Sequence, residues 1–299
     1  MGSMHVSVCI CTRDRGGLIR RTLDSVLAST HQDHDLVIVD QSSGDETSRV
    51  VEAYLTTGKV LYLRSHATGV SRARNLALQN AAGPIVAMTD DDCEVDPDWL
   101  ERIVRHFGAN PDVGQVQGDV EGPQNLEGGF AIDARIHSFR RISSPWLKWA
   151  DLGIGANRAF RKDVLAAVGP FDEILGPGAP LFASEDGDMT YRVLRAGYDV
   201  VNAPDVHVIH HAVRGGRDGQ LFMRRVSFGV AAAYMKHVRM GDVAIVPTLL
   251  YECFRCIQWR RLITLRKPFG LARFAFFLYG IRASFRYPID SRRRVYLAP

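Results

Sequence analysis

Over the first ninety residues, short apolar runs rich in β-branched residues alternate with helical patterns, and this alternation narrows the fold more than any other feature. Residues 5–12 (HVSVCICT), 35–40 (DLVIVD), 59–64 (KVLYLR) and 84–89 (PIVAMT) are continuous apolar runs. Strands of that kind are buried on both faces, as in parallel sheets. Between them, Leu18-Ile19, Leu23 and Val26-Leu27, then Val50-Val51 and Tyr54-Leu55, then Ala73, Leu76-Ala77 and Asn80 recur at i, i+3/i+4 spacing, which is one helix face. The alternation predicts a doubly wound α/β sheet flanked by helices. Ligands of such sheets bind beyond the carboxyl ends of the strands. Thr12-Arg13-Asp14, Asp40 and Asp90-Asp91-Asp92 are therefore expected to converge on one crevice.

Further along, Asp96-Pro97 supplies an N-cap and a proline at the first helical position, opening a helix to about residue 106. A strand is expected at 113–120, helices at 158–168 and 188–196, and a last strand at 206–210. Residues 121–152 are punctuated by Gly and Pro and then become basic and aromatic (Arg140-Arg141, Trp146, Lys148, Trp149), as in a substrate-facing loop region. Beyond Gly219 the pattern is helical, interrupted at Gly241, Pro247 and Pro268.

The net charge of +4 conceals an asymmetry: residues 1–212 carry 20 Lys+Arg against 29 Asp+Glu, whereas 213–299 carry 17 against 4. That division suggests a catalytic domain at 4–212 and a basic helical region at 213–299. Met1-Gly2-Ser3 before a second Met4 reads as a cloning remnant, and residues from His5 onward read as a strand rather than a signal sequence, so a cytosolic chain is expected. Five cysteines fit a reducing compartment; Cys9 and Cys11 share one face of an apolar strand, as buried thiols do. Cys253-x-x-Cys256 has no second Cys or His pair, which favours a helical core or interface pair over zinc.

Asp90-Asp91-Asp92, with Glu94 and Asp96 close behind, packs negative charge at one strand end, which is unfavourable unless a cation offsets it. Hard oxygen ligands in a short acidic turn select Mg²⁺ or Mn²⁺, and such an ion can bridge two phosphates. The competing reading is a solvated loop that caps the next helix. Asp40 either accepts hydrogen bonds from a base or ribose, or caps the helix after Ser42-Ser43. Residues 69–75 (GVSRARN) begin a helix with Arg72 and Asn75 one turn apart. An arginine there either faces phosphate or, as Arg72 or Arg74, pairs with the acidic cluster. Asp186, in Ser184-Glu185-Asp186-Gly187-Asp188, is either a rigidly held general base or part of an ordinary acidic first turn. Histidines 207, 210 and 211 either complete a metal shell or are structural. The sequence contains no GxGxxG, GxxxxGK[ST] or GxSxG motif, which argues against dinucleotide oxidoreductases, P-loop NTPases and α/β-hydrolases.

Taken in order, these segments resemble a family 2 glycosyltransferase with a GT-A fold, from Val6 to about His211. The opening turn Cys11-Thr12-Arg13-Asp14-Arg15, the base-binding segment 38–45 (IVDQSSGD), the arginine-asparagine helix 69–75 and the metal turn 89–92 (TDDD) carry the likeness. It continues through 155–161 (GANRAFR), 168–173 (VGPFDE) and Ser184-Glu185-Asp186. The resemblance implies an inverting, metal-dependent enzyme that moves a sugar from a nucleotide-sugar donor to an acceptor hydroxyl, with Mn²⁺ or Mg²⁺ as cofactor. It implies donor contacts from Thr12, Arg13, Asp14, Arg72, Arg74, Asn75, Asp90 and Asp91, and a base contact from Asp40. It also implies metal ligation by Asp90, Asp92 and His210, catalysis by Asp186 beside Glu185, and acceptor contacts at Gly155, Asn157 and Trp146. Gln41 stands where relatives often carry a second acid, so the resemblance does not fix uracil as the base. Gln258-Trp259-Arg260-Arg261-Leu262 lacks the last Trp of the processive Gln-x-x-Arg-Trp motif, and transfer of one sugar per encounter is expected.

Two rivals remain at the level of sequence: a sugar-phosphate nucleotidyltransferase, for which Gly16-Gly17 is a meagre triphosphate loop, and a non-catalytic sugar-nucleotide-binding module. In the basic region, Arg and Lys interleave with aromatics such as Phe222, Phe254, Phe274 and Phe285, and no apolar stretch reaches the ~20 residues of a membrane span. Helices of this composition lie on anionic membrane surfaces or pack against the catalytic domain or a second subunit; nucleic-acid binding is not expected. The expected setting is cytoplasmic, peripheral on the inner face of the plasma membrane, with a saccharide or lipid-linked acceptor and a possible homo-oligomer through the last helices.

Overall fold

The computed structural model describes residues 4–123, 129–151, 153–257 and 269–299. The four apolar runs form β1 (Val6–Thr12), β2 (His34–Asp40), β3 (Val60–Arg64) and β4 (Ile85–Asp90), linked by α1 (Gly16–Leu27), α2 (Glu46–Leu55) and α3 (Val70–Asn80). There follow β5 (Cys93–Val95), α4 (Trp99–Ala109), β6 (Val113–Glu121), β7 (Gly129–Ala131), β8 (Arg140–Ile142), a 3₁₀ turn (Pro145–Ala150), β9 (Asn157–Arg161), α5 (Lys162–Val168), α6 (Glu185–Arg195) and β10 (Asp199–His210). The main sheet runs β3-β2-β1-β4-β9-β6-β10-β5, with β8 also on β10. Strands β3, β2, β1 and β4 pair in parallel, as do β6 and β10. Strand β9 is inserted antiparallel to both β4 and β6, so these two groups point the same way. The ends of β1, β2, β4 and β10 thus share one edge.

Residues 158–161 were expected to be helical but form β9, because Ala159 and Phe160 are fully buried and the flanking arginines find distant partners, Arg158 in Thr190 and Arg161 in the Phe107 carbonyl. The helix expected from Asp96-Pro97 starts at Trp99 instead: the Asp96 carboxylate is drawn to His207 and Arg102.

Both faces of the sheet are covered. Val6, Val8 and Ile10 pack with Ile19, Leu23, Trp99, Ile103 and Phe107 on one side. Cys9 packs with Ala73, Ala77, Val164, Met189 and Val193 on the other, with all five cysteines free. Full burial of each aliphatic side chain contributes ~1.5–3 kcal/mol, which is why these β-branched runs set the order of the sheet.

The basic region comprises β11 (Val213–Gly215), α7 (Gly216–Arg239), a 3₁₀ turn (Val243–Ile245), α8 (Val246–Ile257), α9 (Phe269–Ser284) and a hairpin of β12 (Ile289–Asp290) and β13 (Val295–Tyr296). Ala232, Ala233, Tyr234, Ile245, Ala283 and Tyr296 form one apolar cluster with Ile174, Leu175, Leu181 and Tyr191. Beside it lies a buried charged knot. The Lys236 ammonium sits 2.7 Å from both Asp172 and Asp188, His237 lies 2.8 Å from Asp188, Arg192 donates to Asp188 at 3.0 Å, and the Tyr296 amide donates to Asp172 at 2.8 Å. Burial opposes ionisation of Asp188, but Lys236 and Arg192 outweigh it and hold the carboxyl far below its usual range.

Candidate active site

Asp90 ends β4, and Asp91 and Asp92 occupy the tight turn into β5. The antiparallel pairing of β5 with β10 places His210 opposite Cys93, which brings the imidazole Nε2 to 3.4 Å from Asp92 and 3.9 Å from Asp90. Its neighbours turn elsewhere, His207 to Asp96 and His211 to Glu94, each at 3.1 Å. Arg15 lies 3.0 Å from Asp91 and 2.9 Å from Asp92. Burial raises the Asp90 carboxyl and pushes Asp91 up to about 6, outweighing the arginine.

The residues present fit a divalent cation. Asp92 Oδ1 is buried without a hydrogen-bond partner, the unsatisfied state that ligation relieves. Two carboxylates and an imidazole form a donor set suited to Mn²⁺ or Mg²⁺. Cys93 is the third member of the compact Asp92-Cys93-His210 group. Burial drives its thiol well above the usual range, so it stays protonated and the oxygens and nitrogen make the better set.

The facing wall is the start of α6. Phe182 (φ 65°) and Ser184 (φ 71°) hold left-handed backbone conformations just before it, a cost of about 1 kcal/mol or more each for residues with a Cβ. Glu185 accepts a 2.7 Å hydrogen bond from Arg74, whose other nitrogen lies 3.8 Å from Asp90. One guanidinium thereby spans the two acidic walls. Gly155 makes this possible: a Cβ there would come within 2.6 Å of the Arg74 Nη2. Burial and the charge of Asp186 raise the Glu185 carboxyl to about 7. Burial acts on Asp186 in the same sense, but the nearby Arg158 and Arg74 charges outweigh it and hold Asp186 below its usual value. Arg158 lies 3.4 Å from the Asp186 carboxylate, and the Gly187 amide donates to it at 2.7 Å. Glu185 is therefore locked in its arginine pair, and Asp186 is the ionised carboxylate facing the cavity.

A cavity of about 790 Å³ joins these walls. Thr12, Arg13, Arg74, Asp90, Asp91, Asp92, Gly155, Glu185, Asp186 and His210 all line it, as expected, and Gln41 joins them. Six expected contacts do not reach it. Asp40 is fully buried and accepts from the Ser42 amide at 2.8 Å and the Tyr62 hydroxyl at 2.5 Å, so it neither reaches the cavity nor caps α2, whose N-cap is Asp45. Asp14 accepts from the Ser43 amide and hydroxyl. Arg72 points outward to Glu173, and Asn75 clasps the Phe171 backbone. Asn157 is fully buried; its amide bonds Asp119 and Val206 carbonyls and accepts from Trp99, leaving nothing for an acceptor. Trp146 sits half-exposed on the 3₁₀ turn.

Sequence reasoning assigned no role to Arg15 or Arg158, although an acidic cluster demands counter-charges and both stand in the quoted segments. It also missed the third wall, where Phe222, Met223, Ser227 and Tyr234 of α7, with residues of α8 and α9, line the same cavity.

Comparison with known proteins supports the same reading. The chain is 32% identical over 188 residues to a glucosyl-dolichyl phosphate glucuronosyltransferase of Haloferax volcanii, 58% of this chain and 58% of the relative's length. It is 29% identical over 212 residues to glycosyltransferase AglE of the same organism, 69% of this chain and 67% of that protein. In fold it is similar to the mannosyltransferase PcManGT from Pyrobaculum calidifontis in complex with GDP-Man and Mn²⁺ (TM-score 0.65, 18% identity, 95% of this chain, 88% of the other). It is likewise similar to S. aureus TarS 1-349 in complex with UDP-GlcNAc (TM-score 0.64, 14% identity, 93% and 82%). Residues 7–169 match the model of glycosyl transferase family 2; the chain belongs to that family and has the GT-A fold.

Proposed function

We propose that the chain is an inverting glycosyltransferase that moves one sugar from a nucleoside-diphosphate sugar to an acceptor hydroxyl in glycolipid or polysaccharide assembly. One observation carries this reading: an acidic turn with an orphaned buried carboxylate oxygen and an ionised, arginine-held carboxylate at a helix start face each other across one cavity. Asp90, Asp92 and His210 would hold a divalent cation, whose positive charge would offset that of the departing diphosphate. Asp186 accepts the acceptor's proton, and its low pKa keeps it ionised at neutral pH. Arg158 and the Gly187 amide fix its direction. Arg74 holds both walls at a set separation, so that donor and acceptor meet in line and a single displacement inverts the anomeric carbon. The Haloferax relative's name supports a lipid-linked acceptor.

In a panel of nucleotide sugars with Mn²⁺, the donor is expected to raise the melting temperature and to be hydrolysed slowly to a nucleoside diphosphate. Release of pyrophosphate from a nucleoside triphosphate would instead identify a nucleotidyltransferase, and binding without turnover a non-catalytic module. Asp92→Ala is expected to abolish metal-dependent donor binding while the fold survives; full activity of that variant in a chelator rejects the metal assignment.

The basic region is read as a peripheral contact with the cytoplasmic, anionic membrane face. Its charge and the exposed Leu250, Phe254, Tyr279 and Phe285 support this, and among the described residues no helix is long and apolar enough to cross a membrane. Arg260, Arg261 and Lys267, which add to the charge of this region, lie outside the described residues. Sedimentation with anionic but not neutral vesicles, reversed by salt, tests the contact; equal binding to both, or to neither, favours a subunit interface.

A further inference from the structure

Beside the carboxylate that faces the cavity lies a second buried acid, and one arginine stands between the two. Asp151 follows the 3₁₀ turn (Pro145–Ala150), and Asp186 lies in the first turn of α6. Arg158 is fastened to α6 at Nη1, which donates to the Asp186 carbonyl at 3.2 Å and to the Thr190 hydroxyl. Its Nη2 donates to the Gly153 carbonyl at 2.7 Å and lies 3.4 Å from Asp186 Oδ2 and 3.9 Å from Asp151 Oδ2. At such similar separations the two carboxylates attract that nitrogen almost equally, so the pairing depends on what else holds each of them.

Asp151 is already engaged. Lys148, buried on the 3₁₀ turn, donates to the same Oδ2 at 2.9 Å, and the Gly153 amide donates to Oδ1 at 3.1 Å beside the Gln117 side chain. Among the described residues, Asp151 is the one ion-pair partner of Lys148. Burial opposes the lysine's charge, but Asp151 outweighs it and keeps the ammonium protonated above its usual range. The charges of Lys148 and Arg158 thereby balance those of Asp151 and Asp186. A buried ion pair is a weak source of stability, and both members of this one line the cavity, which points to an effect on their neighbours there. The remaining charged or titratable groups around Asp186 are Arg74 of α3, Glu185 on its own helix and Tyr234 of α7.

We infer that Lys148 is a positioning residue: by occupying Asp151 it leaves Arg158 to orient Asp186 toward the acceptor's hydroxyl. The inference rests on the proposed role of Asp186 as the base and deepens it. Without the ammonium, Asp151 draws Nη2 to itself, and Asp186 loses the contact that keeps it ionised and aimed.

The carboxyl ¹³C resonance of Asp186, identified by its loss in Asp186→Asn, reports the titration of that group in the full-length protein without donor, acceptor or metal. Lys148→Met is expected to raise the midpoint by about one pH unit or more, the effect of an arginine moved out of contact. Adding Asp151→Asn, which removes the competing acid, is expected to return it close to wild type. Arg158→Met is expected to raise the midpoint similarly, and adding Lys148→Met to that variant to raise it no further. With a nucleotide sugar that the enzyme hydrolyses, the acid limb of kcat moves upward with the midpoint while donor KM stays near wild type. An unmoved midpoint in folded Lys148→Met, or no recovery with Asp151→Asn, overturns the inference. Additive shifts of Lys148→Met and Arg158→Met overturn it as well, since Lys148 would then act on Asp186 through its field alone. Should Lys148→Met not fold, Lys148→Gln keeps a hydrogen bond to Asp151 without the charge and is read by the same outcomes. If no nucleotide sugar is hydrolysed with Mn²⁺ while these shifts and their recovery stand, the transferase reading alone is rejected.

Discussion

At the scale of residues, Glu185 and Asp186 are adjacent acids with opposite environments, and their substitutions are expected to fail differently. Asp186→Asn keeps shape and donor affinity but cannot take the acceptor's proton, and transfer is expected to fall ~10²-fold or more; a loss of only a few-fold would place the base elsewhere. Glu185→Gln leaves Arg74 buried with a weakened partner, so a lower melting temperature is expected alongside reduced rate. Asn157 tests the correction made to its role. Asn157→Ala strands Trp99 Nε1 and two buried carbonyls, an expected cost of about 2–3 kcal/mol in denaturant unfolding. Donor and acceptor KM should stay near wild type in the protein that remains folded.

At the scale of elements, the loop between α7 and α8 is clamped by Asp242. The carboxylate takes Arg195 of α6 at 2.8 Å and Arg294 of the terminal hairpin at 2.7 Å. Burial acts to raise its pKa, yet the bonds from Arg294 and Arg195 prevail and leave it below the ordinary 3.8. A depressed carboxyl stabilises the fold fully above its unfolded pKa, and that contribution disappears as pH falls through the folded value. Hydrogen exchange of residues 289–296 is therefore expected to accelerate below about pH 4, and Asp242→Asn should be equally labile at pH 6. The first four strands were legible because their burial on both faces is written as unbroken apolar runs. Strand β9 was not, since Asn157-Arg158-Ala159-Phe160-Arg161 shows helix-compatible polarity and its buried Arg158 is held by Asp186 and Thr190 of α6. Local sequence carries no trace of such remote partners. The acidic turn and His210 were readable as motifs, whereas the inward register of Asp40 and the outward turn of Arg72 depend on Tyr62 and Glu173, which no spacing rule links to them.

At the scale of the whole molecule, the proposed division at residue 212 separates charge but not structure. Lys236 of α7 neutralises Asp172 and Asp188 of the preceding region, and α7 covers Leu175, Leu181 and Tyr191. A fragment comprising residues 4–212 is expected to be insoluble or to lack a cooperative melt, because its acids are left buried and unpaired. A soluble fragment that binds donor with wild-type affinity would show the regions to be independent. The Tyr296 amide that fastens Asp172 lies 124 residues further along the chain. At ribosomal speeds of ~5–20 residues per second, roughly 6–25 s separate the synthesis of the two partners. During that interval Asp172 lacks the last of its partners, so the knot that ties the two regions together is expected to close only once the carboxy-terminal hairpin has left the ribosome.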